Sequence, residues 1–336
     1  MFDFIKNKGR VSILITGGTG SFGRTFVRKL LNDTDVERII VFSRDEQKQD
    51  MMRSEIELEN ASRIRYFIGD VRDRSRLELA MHKVDIVVHA AAMKIVEVAE
   101  YNPFECIQTN VYGAQNVVSA AIARDVSHVV ALSTDKACNP SNLYGASKLA
   151  ADKIFVAANH LSDPDGTKFS VVRYGNVIGS RGSVVPLFQR LIQQGVKQLP
   201  VTDLRMTRFF ITLQQSSDFV FNMMHMMQGG EIFVPKIPSM KIVDLADALL
   251  PNCRLQVIGI RPGEKLHETI ISRDDAYSTF DCGAYYTVLP VVPSVRNFFK
   301  HLLQRRFGKG SGNFPFRFHR SHHDRSRSDG RGRQGG

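Results

Sequence analysis

Val11-Ser12-Ile13-Leu14-Ile15-Thr16-Gly17-Gly18-Thr19-Gly20-Ser21-Phe22-Gly23 decides the architecture. The apolar run Val11–Thr16 has the length of a buried strand and stops at a glycine. Gly17, Gly20 and Gly23 recur at every third position and open a helix predicted over Arg24–Leu31. Glycine lets backbone close on a pyrophosphate, and the helix N-terminus favours its charge. Thr19, Ser21 and Phe22 lie between these glycines and are candidate cofactor contacts with them. The same spacing also suits a tight strand-to-helix turn with no ligand, so the flanking elements must carry the argument.

Outward from this turn the chain alternates. Further strands are predicted at Arg38–Phe42, Arg63–Ile68, Asp85–Val88, Val129–Leu132 and Phe169–Val172, with helices between them that include Asn110–Arg124 and Leu143–Leu161. That alternation implies an α/β fold, a doubly wound parallel sheet of Rossmann type. Residues 1–185 are read as the dinucleotide-binding domain with the catalytic residues. Residues 186–290 form a smaller, mostly helical C-terminal substrate-binding region, and 291–336 a basic low-complexity tail.

The strand ends supply the remaining cofactor candidates. An acidic residue after the second strand usually holds the ribose of NAD. Here the sequence has Ser43-Arg44, with Lys48 one helical turn on. A guanidinium matches a phosphate bidentately, which favours NADP, although a shift of one residue would bring Asp45 to the ribose instead. Asp70, followed by Val71, either accepts from the adenine amino group or caps the next helix. Ala90, Ala91 and Ala92 are small enough for backbone to pass close to the cofactor, and His89 before them reads as a packed strand-end histidine. Lys94 points either to substrate or to solvent.

The chemistry concentrates in Ser133-Thr134-Asp135-Lys136, eight residues before Tyr144-Gly145-Ala146-Ser147-Lys148. Tyr144 and Lys148 are four apart and share a helix face. Thr134, Asp135 and Lys136 fall just past a strand's carboxyl end, where open α/β sheets hold ligands. Taken singly, Asp135 could be a cap and Lys136 a loop charge. Asn176 lies in a glycine-rich loop suited to sugar or phosphate. Arg205, Arg208 and Arg261-Pro262-Gly263-Glu264-Lys265 offer cations to an anionic ligand such as a nucleotide diphosphate. Met223, Met224, Met226 and Met227 read as core packing.

With 336 residues, 43% hydrophobic and 24% charged, the composition is that of a globular protein. No apolar run suits a membrane span, and Met1–Arg10 lacks the apolar core of a secretory signal. Four cysteines without repeat spacing argue against a disulfide framework or a metal site and fit a reducing cytoplasm. Of the net charge of +11, the segment Arg296–Gly336 holds +9 (eleven Lys/Arg, two Asp), leaving about +2 for the body. That distribution weakens a nucleic-acid reading. The tail is either a polyanion-touching segment or sequence without function, and it lacks aromatic stacking platforms past Phe318.

By Tyr144 and Lys148 the chain resembles the extended short-chain dehydrogenase/reductase family. Thr16–Gly23, Ser43–Glu46, Ala92-Met93-Lys94, Ser133–Ala137, Arg173–Val177, Met206–Phe209 and Arg261–Lys265 together resemble its configuration-inverting UDP-N-acetylglucosamine 4,6-dehydratases, from about Arg10 to Pro290. Retaining dehydratases place Asp-Glu after the key threonine, whereas this chain has Asp135-Lys136. The resemblance implies a lyase with recycled NADP, no metal, a UDP-sugar substrate, a homo-oligomer and a place in bacterial surface-sugar or pseudaminic acid biosynthesis. It assigns Tyr144, Lys148, Thr134, Asp135 and Lys136 to catalysis, with Tyr144 activated by Lys148 and the cofactor's charge. It assigns Asn176, Arg208, Arg261 and Glu264 to the UDP-sugar. A 4-epimerase, a retaining dehydratase or a non-catalytic NADP-binding regulator are the alternatives.

Overall fold

The computed structural model describes residues 11–56, 62–180 and 182–290; the tail 291–336 lies outside them. The first half is regular. Strand β1 (Ser12–Thr16) leads to α1 (Ser21–Asp33), β2 (Arg38–Ser43) to α2 (Glu46–Glu55), and β3 (Ile64–Ile68) to α3 (Arg74–Ala80). After β4 (Ile86–His89) come α4 (Val96–Tyr101), α5 (Pro103–Ile107), a π-helical turn (Gln108–Tyr112) and α6 (Gly113–Ala123). Next are β5 (His128–Thr134), a 3₁₀ turn (Asp135–Ala137), α7 (Leu143–Ala158) and β6 (Lys168–Tyr174).

These strands lie parallel in the order β3-β2-β1-β4-β5-β6. The order reverses between β1 and β4, which opens a crevice at the carboxyl ends of the strands. β1, β2, β5 and β6 are buried almost throughout, as strands between two helical layers must be. Leu14, Phe42, Val129, Phe155 and Phe169 fill one layer, and Ile13, Phe26, Val88, Val130 and Val220 the other. Burying one such large side chain stabilises the fold by about 2 kcal/mol. All six predicted strands are therefore present.

The second half is less regular: β7 (Asn176–Ile178), α8 (Val184–Gln193), β8 (Gln198–Val201), β9 (Thr207–Thr212) and α9 (Leu213–Met226), then β10 (Ile232–Pro235), β11 (Ser239–Lys241), α10 (Ile242–Leu249), β12 (Arg254–Val257), α11 (Arg273–Ala276), β13 (Thr279–Asp281) and β14 (Tyr285–Val288). β10 adds to β6 in parallel, and β14 and β13 follow antiparallel, giving nine strands in the sheet. Those three strands are short; the sequence offers helices separated by short strands here but does not fix where the strands lie. A third apolar cluster, around Phe188, Leu199, Phe210 and Leu245, sits under two small sheets, β11-β9-β7 and β12-β8. Met223, Met224 and Met227 are buried against the main sheet, as expected of packing residues. Among the described residues no helix is long and apolar enough to cross a membrane.

Candidate active site

A cleft of about 950 Å³ runs along the carboxyl edge of the sheet, from Arg44 past Gly20 to Lys136 and Arg261. Its floor is built by the glycine turn. Gly17 has φ +64°, and a Cβ there would stand 2.9 Å from the backbone of Ala91, so only glycine lets β1 and the Ala90–Ala92 stretch approach this closely. Thr16 Oγ1 accepts from the backbone N–H of Ala90 (3.1 Å) and Ala91 (3.2 Å), which pins that stretch. α1 begins at Gly20, which brings no side-chain cap to the first-turn amides and suits them to a phosphate. Thr19, Ser21, Phe22, Gly23 and Val71 line the same floor. This cradle fits a dinucleotide.

At one end of the floor, Ser43, Arg44, Lys48 and Asp70 line the cleft. Asp45 is committed to capping α2: its carboxylate accepts from Lys48 N (2.9 Å) and contacts Lys48 Nζ. Arg44 is largely exposed, with its guanidinium 3.5 Å from Asp70. Asp70 is not the cap of α3; Asp73 is, accepting from Arg76 N. Asp70 pairs instead with Arg72 at 2.7 Å. Ser43 Oγ is held by Gln49 Nε2 at 3.0 Å.

At the other end the catalytic candidates converge. Asn142 caps α7 by accepting from Gly145 N, which places Tyr144 and Lys148 on the first two turns. A Cβ on Gly145 would stand 2.2 Å from the Lys136 carbonyl, so glycine lets α7 press against the 3₁₀ turn that carries Asp135 and Lys136. Tyr144 lies within hydrogen-bond reach of Thr134. Burial pushes its phenol well above the ordinary tyrosine range, although Thr134 works against that rise. Burial also pulls the Lys148 amine down, and its Nζ donates to Leu132 O at 2.6 Å. His89 is fully buried, bonded to Thr16 at 2.8 Å, and pushed down to about 3 by desolvation and then by Lys148, which fits a packing role.

Lys136 Nζ lies 3.1 Å from Asp135 Oδ1, 3.3 Å from Asn176 Oδ1 and 3.5 Å from Glu268. Thr134, Lys136, Tyr144, Lys148, Lys94, Asn176, Arg261 and Glu264 all line the cleft. Asp135 and Arg208 do not. Asp135 is fully buried behind Thr134, which donates to its Oδ1 at 2.9 Å, and its Oδ2 has no hydrogen-bond partner. The buried Arg208 gives Nη1 of its guanidinium to the carbonyls of Thr207 (2.8 Å) and Leu266 (3.2 Å), a backbone tie where the sequence suggests a substrate contact. That tie fastens the segment Arg261–Glu268 over the cleft.

Several site residues carry no signal in the sequence. Asn110, turned inward by the π-helical turn, holds both backbone groups of Met93 and donates to Ser147 Oγ at 2.9 Å, so it links the cleft wall to α7. Glu97 reaches across the mouth to Arg261 at 3.1 Å. Glu268 follows Lys265 by three residues in an irregular stretch, but only the folded chain brings it to Lys136. Among the described residues no cluster of side chains could hold a metal ion.

A dinucleotide cradle joined to a tyrosine–lysine pair on one sheet edge defines an extended short-chain dehydrogenase/reductase. The chain belongs to the polysaccharide biosynthesis protein family, whose model matches residues 13–290. It is 58% identical over 284 residues, 84% of each chain, to UDP-N-acetylglucosamine 4,6-dehydratase (inverting) of Campylobacter jejuni. It is 44% identical, over 82% of each chain, to UDP-glucose 4-epimerase of Rickettsia typhi. Among solved structures it resembles Pen from Bacillus thuringiensis, with a TM-score of 0.79 and 34% identity over 88% of this chain and 98% of that one.

Proposed function

We propose that the protein is an NADP-dependent, C5-inverting 4,6-dehydratase of UDP-N-acetylglucosamine. It would act in the cytoplasm, in surface-sugar biosynthesis such as that of pseudaminic acid. The observation that carries this reading is the placement of the Lys136 amine in the cleft beside Asp135, facing the Tyr144–Lys148 pair. The 58% identity to the Campylobacter enzyme points to the same reaction.

The cofactor would lie on Gly17, Gly20 and Gly23, with Arg44 and Lys48 at the 2′-phosphate and Lys148 at the nicotinamide ribose. When bound, it supplies a hydride acceptor at C4 and a hydride donor at C6, so the sugar's redox state is unchanged overall. The support for NADP over NAD is the exposed Arg44 guanidinium at the cleft; Asp45 also lines the cleft, but its Oδ1 already caps α2.

Tyr144 takes the proton of the C4 hydroxyl, with Thr134 holding the C4 oxygen. Positive charge near the phenol must lower its affinity for the proton by about three units from an unperturbed value, about 4 kcal/mol, and by more from its buried state. A 4-ketone makes the C5 proton acidic. Asp135 and Lys136, 3.1 Å apart, can pass one proton between them. With that proton on Asp135, Lys136 is a free amine and removes the C5 proton. The C6 hydroxyl then leaves as water, drawing by way of Thr134 Oγ1, which stands 2.9 Å from Asp135 Oδ1, the proton that Asp135 held. Return of a proton to the opposite face of C5 inverts it. Arg261, Glu264, Asn176 and Lys94 line the UDP-sugar end.

In this reading the part up to residue 185 holds the cofactor and, through Lys94 and Asn176, one side of the sugar, and 186–290 supplies the other side through Arg261 and Glu264. Exposed Tyr101 and Phe104 on α4 and α5 suit contact with a second copy of the chain. The test is incubation with UDP-N-acetylglucosamine and NMR of the product. A 6-methyl signal with inverted C5 is expected. A product that keeps its C6 hydroxyl and changes only at C4 would favour the epimerase reading, which the Rickettsia relative's 44% identity raises.

A further inference from the structure

Lys136 is held by more than the turn that carries it. The segment Arg261–Glu268 crosses from the substrate region and is tied to β9 by Arg208 on Leu266 O, by Thr207 N on Leu266 O (3.2 Å) and by Thr207 Oγ1 with His267 Nδ1 (2.8 Å). Gly263 O also accepts from Ser141 Oγ (2.9 Å) and Asn142 Nδ2 (2.8 Å) at the start of α7. The strap ends on Glu268, whose side chain is 3% exposed. One carboxylate oxygen lies 3.5 Å from Lys136 Nζ; the other has no hydrogen bond and lies 3.6 Å from Lys265 Nζ, which donates to Cys138 O.

A carboxylate this buried needs partners, and the two lysines are the ones it has among the described residues. We infer that Glu268 is the positioning residue for Lys136, fixing its amine at the sugar and biasing where its proton sits. The inference deepens the dehydratase reading and rests on it for its kinetic consequences. Lys136 has Asp135 beside it on its own turn and shares the cleft with Tyr144 and Lys148 of α7 and Glu264 of the strap. Among the described residues, Glu268 is the strap residue in direct charge contact with the base. Closing the strap over a nucleotide sugar would therefore also set the base.

The experiment compares the wild type with E268Q, which keeps shape and loses charge, E268D, which restores charge, and E268A. The first arm uses no substrate or cofactor. An amine-reactive acylating reagent modifies Lys136 across pH in the folded protein, and peptide mass spectrometry reads the yield. E268Q should shift the midpoint for Lys136 down by about one pH unit, with E268D near wild type. The second arm follows turnover of UDP-N-acetylglucosamine in D2O. For E268Q, deuterium entry at C5 should fall about tenfold and the acidic limb of kcat move to lower pH, with KM within twofold of wild type; E268D should recover most of the rate. An unchanged Lys136 midpoint in folded E268Q overturns the inference. So does a loss in E268A and E268Q that follows thermal stability alone. If the wild type turns over no UDP-N-acetylglucosamine, the dehydratase reading fails while the labelling arm still decides the role of Glu268.

Discussion

The two ends of the cleft are made in different ways. The cofactor end comes from consecutive strand–turn–helix units, each closing within about thirty residues. The Gly17 turn, the Arg44 strand end and the Ala90 strand end are all of this kind. The sugar end comes from distant pairings: Thr207 with His267, Arg208 with Leu266, Ser141 with Gly263, and Lys136 with Glu268. A local unit can be recognised from its own residues, whereas a distant pairing exists only after the chain has folded. The contrast also predicts how each end fails. Changes at the cofactor end should act through backbone shape, and changes at the sugar end through lost coupling.

The largest effect is expected where the two ends meet. Tyr144→Phe removes the proton acceptor but keeps the ring, and should lower kcat about 10³-fold, or ~4 kcal/mol, with cofactor affinity retained in a direct titration. Acid should weaken the cofactor end. The folded protein keeps His89 neutral, with its affinity for a proton lowered to about 3, while the unfolded chain binds a proton near 6.5. Stability is therefore full above pH 6.5 and falls by about 1.4 kcal/mol per unit as pH drops toward 3. Denaturant titrations across that range should show the slope, and His89→Gln should flatten it.

A comparable loss is expected behind α7. Arg173 is buried between Asp152 (3.2 Å) and Asp275 (3.1 Å), tying β6 to α7 and to the segment after the strap. Asp152→Ala leaves a buried guanidinium short of a partner and should cost about 3 kcal/mol in urea unfolding. Gly17→Ala is expected to cost about 1–2 kcal/mol and to weaken cofactor binding, because its φ of +64° and its contact with Ala91 both oppose a side chain. Arg44→Ala should be mildest, shifting the NADP-to-NAD ratio of kcat/KM about tenfold toward NAD without changing stability. An unchanged ratio would remove Arg44 from the phosphate site.

Legibility follows the same divide. The six parallel strands were readable because each is a short apolar run that ends in a distinctive turn. β10, β13 and β14 were not, because four-residue or shorter strands among helices leave no periodicity. Thr134, Lys136, Tyr144 and Lys148 were readable because local geometry puts them at one edge. For Arg208 the sequence shows a cation near a ligand region, but not that two carbonyls hold one of its nitrogens. Asp135 sits at the expected turn, but its own stretch does not show that Thr134 stands between it and the cleft. Glu268 was passed over because nothing in its own stretch distinguishes it from any other surface glutamate.

One topological detail bears on how such enzymes diversify. Residues 175–231 leave the sheet after β6 and return as β10, the strand beside it. Entry and exit are thus held about 4.8 Å apart. Lengthening the excursion costs little, about 0.6 kcal/mol for a doubling of a flexible loop. Selection can therefore lengthen, trim or replace this part of the chain to suit another hexose while the neighbouring scaffold keeps its register.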